Sequence, residues 1–465
     1  MAVYSENRPE WIYALYGGWV AGAAVVPVDF MCTPEDVRII VDDCSPEVIF
    51  CSAANRPSLD EALAGVDGAP VVFCFDELAL PESDRPVEPF CPDREKTAFV
   101  IYTSGTTGGP KGVVLSFDNL FANADAVAEE SGYYTSERRV MALLPFHHIL
   151  PLMGTLVVPL YVGASVALCP SLRPADMLET LAAHRIDLMV AVPRFYSMLH
   201  RTIMEKINAS GAARALFALA KKCDSKKLSR IVFKRVHKKF GGHLDVMVCG
   251  GAPLGKEIAE DFHALGFNLM EGYGMTETAP IISFPRMGHP RCGSVGQAID
   301  CNEVRIVDGE ILVRGGNVFS GYYNKPEETA EALRDGWLYT GDLGYIDDEG
   351  FLFITGRKKE LIITPNGKNI SPDEVERNLM SFGGFLEEAA VFMHDGLLHA
   401  LIYPVREKRA LSEEALDELI KTEVIAPYNA QVTPYKKVLK YTVIHEEIPK
   451  TRLGKIKRFE LKEML

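Results

Sequence analysis

The stretch YTSGTTGGPKG, Tyr102 to Gly112, gathers four glycines, four Ser/Thr hydroxyls and one lysine. A loop of this kind offers backbone N–H groups and hydroxyls to phosphate oxygens, and glycine permits the dihedrals that turn several amides inward. A lysine adds a point charge. The pattern is not the Walker loop: Lys111 follows Pro110, and Gly112 stands where that motif needs a magnesium-binding hydroxyl. A glycine- and hydroxyl-rich run also serves as a linker, but a linker has no need of a strand ending against it. Here TAFVIYT (97–103) precedes the run as a strand, and a helix capped by Ser116 follows it. Strand, loop, helix is a context that holds a nucleotide.

Five further stretches carry polar groups with a use. CGGAPL (249–254) ends a buried strand with Gly250 and Gly251, which let a flat ring approach the backbone. EGYGMTETAP (271–280) sets Tyr273 between glycines. That aromatic can stack on a base, Thr276 can bind phosphate, and Glu277 can hold Mg²⁺ through oxygen. YTGDLG (339–344) ends a strand with Asp342, a carboxylate suited to ribose hydroxyls, and GRKKELI (356–362) supplies Arg357. PKTRLGKIKR (449–458) places Lys455 on a glycine-flanked turn. Taken singly, Glu277 could cap a helix, Asp342 could close a turn, and Lys455 could be a solvated lysine.

These residues need a large scaffold, and 465 residues are enough for two to three domains. With 48% hydrophobic and 24% charged residues the composition is that of a globular protein. The net charge of −14 argues against broad nucleic-acid binding. Ten cysteines without a C-x-x-C pair indicate neither a zinc site nor a disulfide framework, and they read as reduced thiols of a cytoplasmic protein. Two uncharged runs, Trp11 to Val28 and Ile149 to Leu172, are broken by Gly and Pro. Each reads as buried helix, turn and buried strand rather than a membrane span. Short apolar runs at 46–52, 69–75, 97–103, 186–193 and 244–251 alternate with helical patterns. That alternation predicts an α/β fold whose large N-terminal domain has mostly parallel sheets. From about Cys292 the chain becomes β-rich. Asp308-Gly309 reads as a hairpin turn, and 343–357 repeats the design. After Arg357 a charged helical region opens on Ser371 as N-cap. The expected domains are 1–356 and a small, mobile α+β domain, 357–465.

The stretches YTSGTTGGPKG, LLPFHH, GGAP, EGYGMTE, YTGDLG, GRKKELI and PKTRLGKIKR, in this order, resemble the adenylate-forming (AMP-binding) superfamily of acyl-CoA synthetases, luciferases and peptide-synthetase adenylation domains. FGGHLDVMVCGGAPL, EGYGMTETAPIIS and GRKKELIITPNGKN look most like bacterial long-chain fatty-acid–CoA ligases, although Asn366 stands where many relatives have glycine. The resemblance implies ATP, Mg²⁺ and coenzyme A, with a fatty acid activated as acyl-adenylate and then passed to CoA. It implies that Lys111 and the loop Thr103, Ser104, Gly105, Thr106, Thr107 and Gly108 hold the β and γ phosphates. Thr276 would contact the α-phosphate, and Glu277, with Thr103, the metal. Tyr273-Gly274 and Gly250, Gly251, Ala252 and Pro253 would cradle adenine, while Asp342 and Arg357 hold ribose. Lys455 would stabilise the α-phosphate, His148 would lie by the carboxylate, and Lys359 would be the pivot of the small domain. Relatives usually begin well before SENRPEWIYALYGGWVAGAAVVPVD, which implies that an N-terminal segment is lacking. The alternatives are transfer to an acyl carrier protein, or a non-catalytic nucleotide- or lipid-binding remnant.

One segment departs from the rest. Between His200 and Lys239 stand twelve Lys/Arg and only Glu205 and Asp224. Leu228, Ile231, Val232 and Val236 recur at helical spacing, so the expected arrangement docks that apolar face on the body and turns the lysines outward. Such a surface suits a polyanionic partner: an anionic membrane in peripheral contact, an acidic carrier protein, or the phosphates of coenzyme A.

Overall fold

A computed structural model describes residues 1–66, 68–79, 90–103, 109–223, 225–288, 291–364, 367–382, 384–450 and 456–465. The chain divides into two units, Met1–Arg305 with Leu312–Tyr339, and Ile306–Ile311 with Thr340–Leu465.

In the larger unit the alternating apolar runs become two all-parallel sheets. One has the order Val26–Val28, Ala2–Tyr4, Val48–Cys51, Val71–Cys74. The other has the order Asn268–Glu271, Val246–Cys249, Leu188–Ala191, Arg139–Ala142, Ser165–Leu168. Leu188–Ala191 and Val246–Cys249 are buried along their whole length, as strands covered on both faces must be. Helix Pro9–Val20 packs Trp11, Leu15 and Trp19 into the main core, and the Trp19 indole donates to the Ala98 carbonyl at 3.0 Å. Each such side chain contributes about 2–3 kcal/mol by burial. The second uncharged run is a helix with a wide π turn at Met153–Val157, just before Pro159, which has no N–H to return to the Thr155 carbonyl. The strand after it, Ser165–Leu168, is an edge strand and only half-buried, not the buried strand expected. Among the described residues no helix is long and apolar enough to cross a membrane.

The phosphate-loop region also differs from strand, loop, helix. A second strand, Lys111–Ser116, intervenes and pairs antiparallel with Thr97–Thr103, so the loop is the tip of a hairpin. Gly321–Tyr322 adds a third strand to it. The reason lies in VVLS, a short β-branched run that pairs well once a partner strand is beside it. Ser116 does cap the following helix, with its hydroxyl accepting from the Asn119 amide.

In the smaller unit Asp308 and Gly309 both take positive φ, as the hairpin turn requires. Asp342 is internal to the strand Trp337–Ile346 rather than at its end. The helix Pro372–Ser381 begins at Ser371, but the Ser371 hydroxyl donates to the Thr355 carbonyl instead of capping. A three-stranded sheet of Leu386–His394, Leu397–Pro404 and Lys440–Val443 carries the core of this unit. All ten cysteines are free.

Candidate active site

The hairpin is anchored next to the glycine-rich stretch. The Tyr102 hydroxyl donates to Asp43 at 2.6 Å. Thr103 faces Lys111 across the hairpin, and its hydroxyl reaches the Lys111 carbonyl at 3.5 Å. A Cβ on Gly112 would stand 2.8 Å from Val100 Cγ1 and 3.2 Å from Tyr323 Cβ, so only glycine lets the third strand close. Ser104, Gly105, Thr106, Thr107 and Gly108 lie outside the described residues.

Closing that strand brings Tyr322 over the site. The Lys111 ammonium sits 5.2 Å from the centre of the Tyr322 ring, and the Tyr322 hydroxyl donates to Glu277 Oε1 at 2.7 Å. A cation on an aromatic face contributes about 0.5–1 kcal/mol at a partly exposed site. Burial, and then the Glu277 charge, push the Tyr322 phenol well above its ordinary value, so it stays a donor. Three distant stretches thus meet: the lysine of the loop, the acid of EGYGMTE, and Tyr322, not singled out from the sequence.

Glu277 is buried on the turn Thr276–Thr278, and the sequence builds that turn from backbone acceptors. The Pro280 carbonyl takes the Met275 amide at 3.0 Å and the Thr278 hydroxyl at 2.5 Å. Two buried amides hold the same turn from outside: Asn123 and Asn317 each donate to the carbonyls of Thr278 and Ile281. Gly274 passes so close to Pro280 that a Cβ would lie 1.8 Å from its carbonyl oxygen. Tyr273 is buried beside it, while Thr276 is half-buried. Among the described residues no group of three or more His, Cys, Asp or Glu could hold a metal by itself. A magnesium ion that keeps waters and phosphate oxygens needs only one or two carboxylates, so Glu277 fits that more modest role.

The strand Val246–Cys249 delivers Gly250 and Gly251, with Gly251 at φ +86° and Ala252-Pro253 following. Leu150 packs beneath Gly250. Just before Leu150, the His147 and His148 rings lie 4.2 Å apart, and His147 is buried 3.6 Å from Asp29. Burial lowers the His148 imidazole to about 4 and pushes His147 well below its ordinary value, so both are neutral near pH 7.

In the smaller unit Asp342 and Arg357 face each other across paired strands, with Arg357 Nε donating to Asp342 Oδ1 at 2.6 Å. Lys358 pairs with Glu310 at 2.7 Å, and Lys359 lies on the turn Lys358–Glu360. Lys455 lies outside the described residues, but the described residues on either side of 451–455 are anchored. The Lys457 amide donates to the Pro449 carbonyl, and Lys450 pairs with Glu388. Arg458 is half-buried among Glu360, Asp373 and Glu376. The sequence placed Arg458 in a motif but did not indicate this cluster.

The AMP-binding enzyme family matches residues 1–323. The long-chain-fatty-acid–CoA ligase FadD15 of Mycobacterium bovis is 30% identical over 416 residues, covering 82% of this chain and 68% of that protein. The sulfoacetate–CoA ligase of Cupriavidus necator is also 30% identical, over 486 residues, covering 99% and 86%. Crystalline ATP-bound MatB from Rhodopseudomonas palustris superposes with a TM-score of 0.79 at 26% identity, over 99% of this chain and 88% of that one. The chain therefore belongs to the AMP-binding enzyme family, as an acid–thiol ligase of its acyl-CoA ligase branch.

Proposed function

We propose that the chain activates a fatty acid with ATP and Mg²⁺ and passes the acyl group to coenzyme A. The choice of acid rests on one observation. A small apolar cavity lies behind the helix that follows His148, lined by Val127, Leu150, Met153, Val158, Val190, Val248, Ile281 and Phe284, with Asn123 and Tyr134 as its main polar groups. Its free space is about 20 Å³, room for little more than one water-sized group, so a longer tail enters only as these side chains move aside. None of the lining residues is charged. A sulfonate or second carboxylate in such a place would be a buried, unpaired anion, which costs several kcal/mol. An uncharged apolar tail gains by the same burial.

In this reading Lys111, the loop from Thr103 to Gly108, and Thr276 hold the phosphates. Glu277, with Thr103, holds the metal. Tyr273, Gly274 and Gly250 to Pro253 hold adenine, and Asp342 and Arg357 hold ribose. His148, neutral, lies toward the carboxylate without competing for its charge. Residues 357–465 act as a lid that pivots at Lys359 and carries Lys455 in for adenylation. Charge collects around phosphorus in that step, so positioned cations and amides do most of the work.

The test is pyrophosphate release over a panel of acids. Each methylene buried is worth about 0.8 kcal/mol, so kcat/KM should rise about four-fold for each methylene that the cavity opens to bury. A flat profile, or a preference for sulfoacetate or malonate, would overturn the assignment.

A further inference from the structure

The cationic segment does not fold as its spacing suggested. Helices Gly211–Cys223, Lys226–Val232 and Lys234–Lys239 follow the end of Pro193–Asn208. The residues turned inward are Phe217, Ala220, Ser229, Phe233 and His237. His237 stacks on Phe267 and bonds the Leu265 carbonyl at 2.9 Å. Leu228, Ile231 and Val232, expected to dock on the body, are instead exposed by 42%, 73% and 36%, and only Val236 is partly covered. At i, i+3 and i+4 they form one stripe, and Leu216 and Leu219 are likewise exposed on the preceding helix.

The cations sort in the same way. Lys221 is paired with Asp261, while Lys226 and Arg230 are paired with Asp245. Lys222, Lys227, Lys234, Arg235 and Lys238 are exposed and have no carboxylate partner among the described residues. The Lys239 ammonium is pushed below its ordinary value by Lys206 beside it, a like-charge contact that an anion would relieve. The segment 200–239 carries about +10 within a chain of −14. Cations alone would fit any polyanion. Cations around exposed leucine, isoleucine and valine fit a partner with an anionic face and an apolar interior.

We propose that Gly211–Lys239 is a docking surface for an anionic lipid bilayer, with Leu228, Ile231 and Val232 entering the acyl boundary and Lys222, Lys227, Lys234, Arg235 and Lys238 meeting the headgroups. Binding is peripheral and reversible, and it needs no turnover, so it stands or falls separately from the choice of acid.

The experiment is co-sedimentation of the full chain with vesicles of phosphatidylcholine alone, or with equal parts of phosphatidylglycerol. Binding is expected only to the anionic vesicles, weakening as salt rises. Each engaged cation is worth about five-fold in partitioning, so Lys227→Gln, Lys234→Gln and Arg235→Gln together should lower it roughly a hundred-fold. Leu228→Asp with Ile231→Asp should lower it at least about ten-fold while leaving the circular-dichroism spectrum unchanged, since neither side chain is in the buried core. If the glutamine variant loses binding but the aspartate variant does not, the partner is a soluble polyanion such as an acidic protein or free phosphate, and the proposal fails. Equal binding to neutral vesicles, or none to either, also overturns it.

Discussion

Gly274→Ala tests the turn that carries Glu277. The added Cβ would stand 1.8 Å from the Pro280 oxygen, 2.7 Å from its carbonyl carbon and 3.0 Å from Ile281 Cα. All three are backbone atoms, so no side chain can rotate aside. To restore even a 3.0 Å contact the carbonyl must retreat by about 1.2 Å. That carbonyl accepts from the Met275 amide and from the buried Thr278 hydroxyl, and both bonds stretch or break. Overpacking together with one or two weakened buried hydrogen bonds should cost about 2–4 kcal/mol. A shift near 1 Å at Glu277 should also lower adenylation about a hundred-fold. Urea unfolding reads the first effect and pyrophosphate release the second. Gly250→Ala is the control: its nearest contact would be the end of the flexible Leu150 side chain at 3.1 Å, and its cost should stay under about 1 kcal/mol. If Gly274→Ala unfolds at the wild-type urea concentration and releases pyrophosphate at the wild-type rate, the close approach of Gly274 to Pro280 is not what shapes this turn.

Lys455→Ala should cut acyl-adenylate formation by at least about a hundred-fold, or some 3 kcal/mol, while thioester formation from supplied acyl-adenylate survives. Equal loss of both half-reactions would remove the assignment. Arg458→Met leaves Glu376, Asp373 and Glu360 without their shared cation, which should destabilise the smaller unit by about 3–5 kcal/mol in a denaturant titration. The two imidazoles set a pH dependence. Their folded-state values lie below the ordinary one, so the unfolded chain binds more protons, and stability falls as pH drops below about 6.5. For His148 the loss should level off near pH 4 after about 3 kcal/mol, and His148→Gln should flatten that part of the profile. A slope unchanged in the variant would show that His148 titrates normally.

Much of the scaffold is written locally. Val246–Cys249 and Leu188–Ala191 are strands because short β-branched and apolar runs bounded by Gly, Pro or charge have few other ways to bury themselves. Asp308-Gly309 forms a turn because both residues tolerate positive φ. Glycines, hydroxyls and carboxylates at 102–112, 249–254 and 271–280 point to phosphate and base because those residue types have few other uses together. Each of these signals depends only on a residue and its near neighbours.

What joins them does not. No local feature says that Tyr322 will lie between Lys111 and Glu277, because that depends on Gly321–Tyr322 pairing with Val113–Val114 and on Gly112 leaving room for it. Nor does any local feature say that Asn123 and Asn317 will hold one turn from two elements. The stripe Leu228, Ile231, Val232 shows the limit most plainly. Helical spacing fixes which side chains share a face, since 3.6 residues make a turn. The direction of that face is set by what the helix packs against, and here Ser229, Phe233 and His237 took the inward side and left the stripe to solvent.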